Sequence, residues 1–131
     1  MKKVFAIIGI LILSTVFLLG CNEQDENLGY SDLTAAEAKE KIDSNPGIVI
    51  IEVSPHYDDG HIPGAVHYYG DNSLDDAIPT QDKEKEYLVY CHADGPSISA
   101  SNKLANAGFT MVYRLEDNYQ AWVDAGYPIE T

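Results

Sequence analysis

Residues 87–108 read YLVYCHADGPSISASNKLANAG, and this stretch decides the fold. Its first four residues, Tyr87–Tyr90, are aliphatic or aromatic throughout, which is typical of a strand buried on both faces of a parallel sheet. A loop at residues 92–96 follows, and residues 97–107 are predicted to form a helix that ends at Gly108. A buried strand joined by a short loop to a helix is the repeating unit of α/β proteins.

The same alternation of strands and helices continues on both sides of this unit. Thr34-Ala35-Ala36-Glu37 has the pattern of a capping box, so a helix is predicted from there to about Ser44. A last helix, capped by Asp117 or Asn118, is predicted to run through Trp122. Three more strands are predicted at residues 48–53, 65–68 and 111–113. Strands that alternate with helices predict an α/β fold with a central parallel sheet and helices on both faces.

The first twenty residues have the pattern of an export signal. Met1-Lys2-Lys3 is basic, residues 4–19 are almost entirely apolar, and Leu18-Leu19-Gly20-Cys21 precedes an abrupt change to polar residues. This order predicts a secretory signal peptide over residues 1–20. The Leu-Leu-Gly-Cys ending resembles the lipobox of bacterial-type lipoproteins. That resemblance implies that the chain is cut before Cys21 and that the Cys21 thiol is diacylated.

An uncleaved transmembrane anchor is the alternative interpretation of this segment. The apolar run is shorter than the ~20 residues that span a bilayer, and a cysteine placed at its boundary would then have no explanation. With lipid on Cys21, residues 21–29 are expected to form a polar tether and residues 30–131 a single domain. Acyl chains would hold that domain on the extracytoplasmic face of the cell membrane, either periplasmic or at the outer surface.

Composition and charge exclude several classes of protein. The chain has 131 residues, which is enough for one domain, and a formal net charge of −13. Such a charge excludes a nucleic-acid binder, because nothing neutralises phosphates. Two cysteines are too few for a disulfide-rich miniprotein, which excludes that class. The Cys and His residues also lack the spacing of a zinc site. We therefore expect no metal and no cofactor, and the high charge on a small domain favours a monomer.

The candidate nucleophile is Cys91, which follows a predicted strand at the sheet edge where α/β proteins bind ligands. If Cys21 carries lipid, Cys91 is the only free thiol. Amides of the loop and of the following helix would favour a thiolate, with Gly95 giving backbone freedom and Pro96-Ser97 suiting a helix start. A thiolate there can attack a sulfane sulfur, hold it as a persulfide and pass it on. A buried, inert cysteine is the alternative, and the spacing alone does not decide between them.

Several motifs in the correct order resemble those of the rhodanese-like domains. Gly60-His61-Ile62-Pro63-Gly64-Ala65 reproduces the hallmark hexapeptide of that family, Glu52-Val53 stands where the family has Asp-Val, and Val89-Tyr90-Cys91 stands at its active-site strand. The resemblance extends from about Leu33 to Ile129. Further matches are Ala107-Gly108-Phe109, Val112-Tyr113-Arg114-Leu115-Glu116, Ala121-Trp122 and Gly126-Tyr127-Pro128-Ile129.

This resemblance implies a three-layer rhodanese-like fold and a sulfurtransferase in which Cys91 forms the persulfide. It also implies a small sulfur-containing donor and a thiol or cyanide-like acceptor. The residues implied for the active-site loop around the anionic substrate are His92, Ala93, Asp94, Gly95, Pro96 and Ser97.

The chain departs from the family pattern at its cationic positions. Pro96 stands where the loop often ends in arginine, Ser54 where an arginine usually follows Asp-Val, and Arg114 is the only arginine in the chain. Asp94 takes a position that is often glycine. Each missing charge-assisted contact is worth about 1.5–3 kcal/mol, so thiosulfate is expected to bind weakly. His92 supplies positive charge only when it is protonated.

Three functions therefore stay open. The leading one is a membrane-tethered sulfurtransferase or sulfane-sulfur carrier. The second is a catalytically weak or inactive rhodanese-like binding module, which the missing arginines favour. The third is a Cys-dependent phosphatase or arsenate reductase, which needs a Cys-x5-Arg pattern, and the arginine position of that pattern is Ser97 here.

Four other side chains are interpreted as structural. His61 belongs to a tight turn and is expected to bond to backbone. His56 and His67 lack partners at ligand spacing and are expected at the surface or in turns. Trp122 is expected to anchor the last helix in the core or at its rim, and not to serve as a substrate platform.

Overall fold

The structure is a computed structural model, and it describes residues 29–131. The predicted signal peptide, Cys21 and the predicted tether before Gly29 lie outside the described residues. Among the residues described, no helix is long and apolar enough to span a bilayer.

In this part of the chain, five parallel strands form one sheet in the order β1-β5-β4-β2-β3. The strands are β1 (Ser31–Leu33), β2 (Val49–Glu52), β3 (Val66–His67), β4 (Tyr87–Tyr90) and β5 (Val112–Leu115). The helices are α1 (Ala35–Ser44), α2 (Leu74–Ala77), α3 (Asp94–Asn106) and α4 (Asn118–Asp124), with 3-10 turns at Tyr57–Asp59 and Ile78–Thr80. The predicted α/β fold with a central parallel sheet is confirmed.

Two apolar clusters cover the opposite faces of the sheet. Leu88 and Tyr90 of β4 belong to the cluster that includes residues of α1 and α4, whereas Tyr87 and Val89 belong to the cluster that includes residues of α2 and α3. All four side chains are fully buried, as expected for a strand covered on both faces. Trp122 is buried too, and its indole N–H donates to the carbonyl of Pro128 at 2.8 Å, which confirms its place in the core.

Local signals placed the starts of α1 and α4 correctly. Thr34 caps α1 through a complete capping box with Glu37. Helix α3, however, begins at Asp94, three residues earlier than predicted. Pro96 does not prevent this, because an N–H in the first turn of a helix would have no intrahelical partner. Strand β1 was not predicted from its short, polar sequence, and it is defined by its pairing with β5.

The turn between β5 and α4 contains two residues with positive φ. Asp117 has φ 59° and Asn118 has φ 64°, a left-handed conformation that costs a non-glycine residue about 1 kcal/mol. Asp117 precedes α4 as predicted, but its side chain makes no capping hydrogen bond. The turn positions the N–H of Tyr119 to donate to the carbonyl of Cys91 at 3.0 Å, so it connects α4 to the candidate site.

Candidate active site

Cys91 lies at the carboxyl end of β4, at the point where the strand order reverses. From β2 the chain passes to β3 on one side, and it returns as β4 on the other side of β2. The crevice at such a reversal is the usual ligand site of open parallel sheets. Cys91 is 2% exposed, and its thiol donates to the carbonyl of Val53, the residue after β2, with Sγ and O 3.8 Å apart. The sulfur therefore lies between the ends of β2 and β4.

The loop after Cys91 is shorter than the sequence predicted. His92 and Ala93 connect Cys91 to α3, and residues 94–96, predicted as loop, belong to the first turn of that helix. The residue at the N-cap is Ala93, which provides no capping side chain. Since the first N–H groups of a helix lack intrahelical partners, this end of α3 offers uncapped donors three residues after the sulfur.

Ser97, which is predicted to begin the helix and is also implied for the active-site loop, is a buried residue of α3. Its hydroxyl donates to the carbonyl of Asp94 at 3.0 Å and accepts from Arg114 at 3.4 Å. The Ser97 hydroxyl therefore connects the first turn of α3 to Arg114 of β5 by hydrogen bonds.

Arg114 of β5 neutralises part of the acidic charge near the site. Its Nε and Nη2 donate to the two carboxylate oxygens of Asp32 at 2.8 and 2.9 Å, and Nη1 donates to Asp94 at 3.2 Å. Asn118 also donates to Asp94, at 3.0 Å. Burial acts to lower the pKa of Arg114, but the hydrogen bonds and charges of the two carboxylates outweigh it and raise that pKa. The negative charge of Asp94 is therefore partly neutralised by an arginine that lies outside the loop.

A buried carboxylate, Glu52, lies at the end of β2 beside the last residue of β4. The hydroxyl of Tyr90 donates to it at 2.8 Å, and that of Ser54 donates to its other oxygen. The Tyr90 oxygen also accepts the N–H of Ile62 at 2.9 Å, which joins the GHIPGA turn to the sheet. Burial, followed by the charge of Glu52, raises the pKa of Tyr90, so its hydroxyl remains a donor. No pattern in the local sequence indicates this network, because it depends on strand register.

The imidazole of His92 lies against this carboxylate. Its ring stacks on Tyr119 with centroids 4.5 Å apart, and Nε2 is 3.3 Å from Glu52 without hydrogen-bond geometry. Burial lowers the pKa of His92 and outweighs the raising effect of Glu52, while His56 lowers the pKa further. Burial therefore disfavours the positive charge on His92 that the sequence left open.

The other three histidines have mainly structural contacts. His61 Nδ1 lies 3.0 Å from the carbonyl of Tyr57, which confirms the predicted bond to backbone. His67 belongs to β3, and its Nε2 lies 2.5 Å from the carbonyl of Ser54, a partner that the sequence did not indicate. His56 is half exposed, as predicted for a surface residue. Within residues 29–131, no group of three or more His, Cys, Asp or Glu side chains is arranged to hold a metal ion.

A cavity of about 230 Å³ lies between α3 and the segment after β3. Val53, Pro96, Lys103 of α3 and Asp75 of α2 are among the residues that line it. Lys103 Nζ and Asp75 Oδ2 form a salt bridge of 3.0 Å. The sequence did not predict this cavity, because α3 and the segment after β3 form it by packing together.

The chain is similar to known sulfurtransferases and to solved structures. The model of the rhodanese-like domain family matches residues 34–125. Thiosulfate sulfurtransferase GlpE of Stutzerimonas stutzeri is 36% identical over 80 residues, covering 60% of this chain and 72% of that protein. GlpE of Ectopseudomonas mendocina is 30% identical over 102 residues, covering 78% and 92%. The crystal structure of Alr3790 from Anabaena sp. matches with a TM-score of 0.68 at 31% identity, covering 75% of this chain and 80% of that one.

Proposed function

The chain belongs to the rhodanese-like domain family, and from that premise we propose that it is a sulfurtransferase or sulfane-sulfur carrier that forms a persulfide on Cys91. The observation that carries the proposal is the position of this cysteine. It lies at the reversal of strand order, three residues before a helix whose N-terminus has no capping side chain. Partial positive charge at a helix N-terminus favours a thiolate and an anionic sulfur species.

The proposed reaction has two half-reactions at the same sulfur. The Cys91 thiolate attacks the sulfane sulfur of the donor, the donor bond to that sulfur breaks, and the leaving group departs with the electron pair. A thiol or cyanide-like acceptor then attacks the outer sulfur of the persulfide and releases Cys91 as a thiolate. The backbone N–H groups at the start of α3 would stabilise the negative charge in both steps.

The charges around Cys91 favour a donor that does not need a guanidinium. Arg114 is held by Asp32 and Asp94, and the pKa of His92 is lowered by burial. The dianion of thiosulfate would therefore be bound mainly by backbone amides. We propose that polysulfides or organic persulfides are better donors than thiosulfate for this chain.

Intact-mass measurement tests this function on the full chain purified in detergent. The protein is incubated with thiosulfate and separately with inorganic polysulfide, and cyanide is then added. We expect an adduct with the mass of one sulfur atom, larger with polysulfide, and its release as thiocyanate. Cys91→Ser should abolish the adduct, whereas the matched variant Cys21→Ser should retain it.

Two other results would redirect the assignment. If the folded protein takes sulfur from neither donor, the chain is a binding module of the rhodanese-like type. Release of phosphate from an aryl phosphate, lost in Cys91→Ser, would instead make it a phosphatase.

We also propose that the domain works at the extracytoplasmic face of the membrane, anchored by lipid on Cys21. The support for this proposal is the Leu-Leu-Gly-Cys sequence after a basic and then apolar segment. Expression in a bacterial host should give a membrane-bound protein whose N-terminal peptide begins at Cys21 and carries the mass of acyl chains. A mature chain without lipid, or one that still contains residues 1–20, would refute this anchor.

A further inference from the structure

The chain enters the domain and presents its reactive cysteine at opposite ends of the parallel strands. Gly29 precedes the amino end of β1, whereas Cys91 follows the carboxyl end of β4. We propose that the lipid-anchored domain rests with the amino ends of its strands against the phospholipid surface, which turns the carboxyl ends and Cys91 towards the aqueous phase. This inference rests on the lipid anchor of the proposed function and adds the orientation of the domain on the membrane.

Strand register separates Gly29 from the reactive sulfur. All five strands are parallel, so their amino ends meet on one side of the sheet and their carboxyl ends on the other. Ser31 of β1 pairs with Tyr113 of β5, which pairs with Leu88 of β4. Cys91 is three residues beyond Leu88, about 10 Å along the strand direction. Gly29 comes before Ser31, so it lies on the other side of this level.

A contact with α3 fixes the point where the chain enters the domain. Gly29 packs so closely on Ala105 that a Cβ added to it would lie 2.7 Å from the Cβ of Ala105. Ala105 belongs to the last turn of α3, 11 residues after Asp94 and about 16 Å along the helix axis. Cys21 is eight residues before Gly29, so covalent length alone keeps its lipid within about 28 Å of this point.

The amino side of the sheet has balanced charge. We define it by the turns that precede three strands, which are residues 45–48, 81–86 and 107–111. The first and the last of these turns contain no charged residue. The three carboxylates of the second are balanced by Lys83 and Lys85 and by Lys41 of α1, which pairs with Glu86 at 2.9 Å. Anionic headgroups therefore meet no net repulsion on this side.

The carboxyl side is acidic. We define it by the segments that follow the five strands, which are residues 34–37, 53–65, 68–73, 92–96 and 116–118. These segments contain no lysine or arginine, and their acidic residues are Glu37, Asp58, Asp59, Asp71, Asp94, Glu116 and Asp117. Arg114 offsets only part of this charge, because its guanidinium is shared between Asp32 and Asp94. Anionic headgroups repel such charges within a Debye length of about 8–10 Å, which favours the side with Cys91 turned away from the bilayer.

Energy transfer from a dye to the lipid surface tests this orientation. The full chain is produced in a bacterial host, purified in detergent and reconstituted into vesicles of phosphatidylethanolamine and phosphatidylglycerol that contain an acceptor dye on the headgroups. Donor dyes are attached to single introduced cysteines in the Cys91→Ser background. Pro46 and Pro55 form a matched pair, because both are exposed and uncharged and they flank β2. Thr110 and Glu116 are exposed residues that flank β5 and form a second pair.

We expect a larger loss of donor fluorescence at Pro46→Cys than at Pro55→Cys, and a larger loss at Thr110→Cys than at Glu116→Cys. A strand of four residues separates the members of each pair by about 13 Å, and energy transfer falls steeply with distance. The same labelled chains in vesicles without acceptor lipid give the reference intensity.

The outcomes separate this inference from the proposals that it accompanies. The variants lack Cys91, so the result does not depend on sulfur transfer. If the intact mass shows no acyl chains, the lipid anchor is wrong and the orientation is wrong with it. If the chain is lipidated but both members of each pair lose equal fluorescence, or the carboxyl side loses more, the orientation alone is wrong.

Discussion

Replacing Arg114 with methionine should destabilise the domain by about 2 kcal/mol. The side chain is 8% exposed, and its guanidinium binds both oxygens of Asp32 and one oxygen of Asp94. Charge-assisted hydrogen bonds are worth about 1.5–3 kcal/mol when buried. The two carboxylates are 39% and 67% exposed, and water therefore reduces their share, most of all at Asp94.

We expect the largest part of this loss in the coupling between Arg114 and Asp32. Strand β1 has three residues and pairs with β5 alone, so this bidentate contact fixes an edge of the sheet. A double-mutant cycle with Asp32→Asn should give a coupling of about 1 kcal/mol. For a domain of this size, a loss of 2 kcal/mol lowers Tm by about 8–16 °C.

Urea unfolding of the native chain, Arg114→Met, Asp32→Asn and the double variant at neutral pH measures these quantities. Lys39→Met, which breaks an exposed pair with Asp43, is the control and should cost less than about 0.5 kcal/mol. If Arg114→Met costs no more than this control, or if the coupling is zero, the ion pair does not stabilise the sheet edge and our reasoning is refuted.

Three further predictions concern single side chains. Tyr90→Phe should cost about 2 kcal/mol in urea unfolding, because the fully buried Glu52 loses a donor, and a cost below 0.5 kcal/mol would contradict this. Asp117→Gly should raise the free energy of unfolding by about 0.5–1 kcal/mol in the same assay, since φ there is 59°, and any loss of stability would contradict it. The hydrogen bond from Lys41 lowers the pKa of Glu86. The ionised Glu86 carboxylate therefore stabilises the fold above the usual pKa of a glutamate, and this stabilisation is lost as pH falls through the lowered value. Glu86→Gln should therefore cost about 1 kcal/mol at pH 7, and urea unfolding at pH 7 and pH 3 should find this cost smaller in acid.

Features encoded within a few residues were predictable from the sequence. The apolar run of β4, the capping box at Thr34 and the turn around His61 each depend on neighbours in the chain, and the structure contains all three. Helix α3 shows the limit of such signals. Pro96 and Ser97 were placed at the helix start, but a proline is tolerated anywhere in a first turn, so the helix could begin at Asp94.

Contacts between distant segments could not be predicted in this way. The Glu52 network requires the register of β2 against β4, and the cavity requires α3 to pack near the segment after β3. Neither the network nor the cavity can be recognised in the local sequence, because each residue involved is of a type that is common in its own strand or helix. The buried hydroxyl of Tyr90 is an example, since from the sequence it is only one more aromatic residue of an apolar strand.

The charge near the candidate site cannot be predicted from the residues of the loop alone, and Arg114 is the reason. It is separated from Asp94 by 20 residues and from Asp32 by 82, and the parallel sheet brings all three together. The acidic loop contains no arginine, but Arg114 neutralises part of the charge of Asp94. The guanidinium of Arg114 is itself held by two carboxylates, those of Asp32 and Asp94. The uncapped backbone amides that begin α3 then supply the remaining partial positive charge close to Cys91 in the chain.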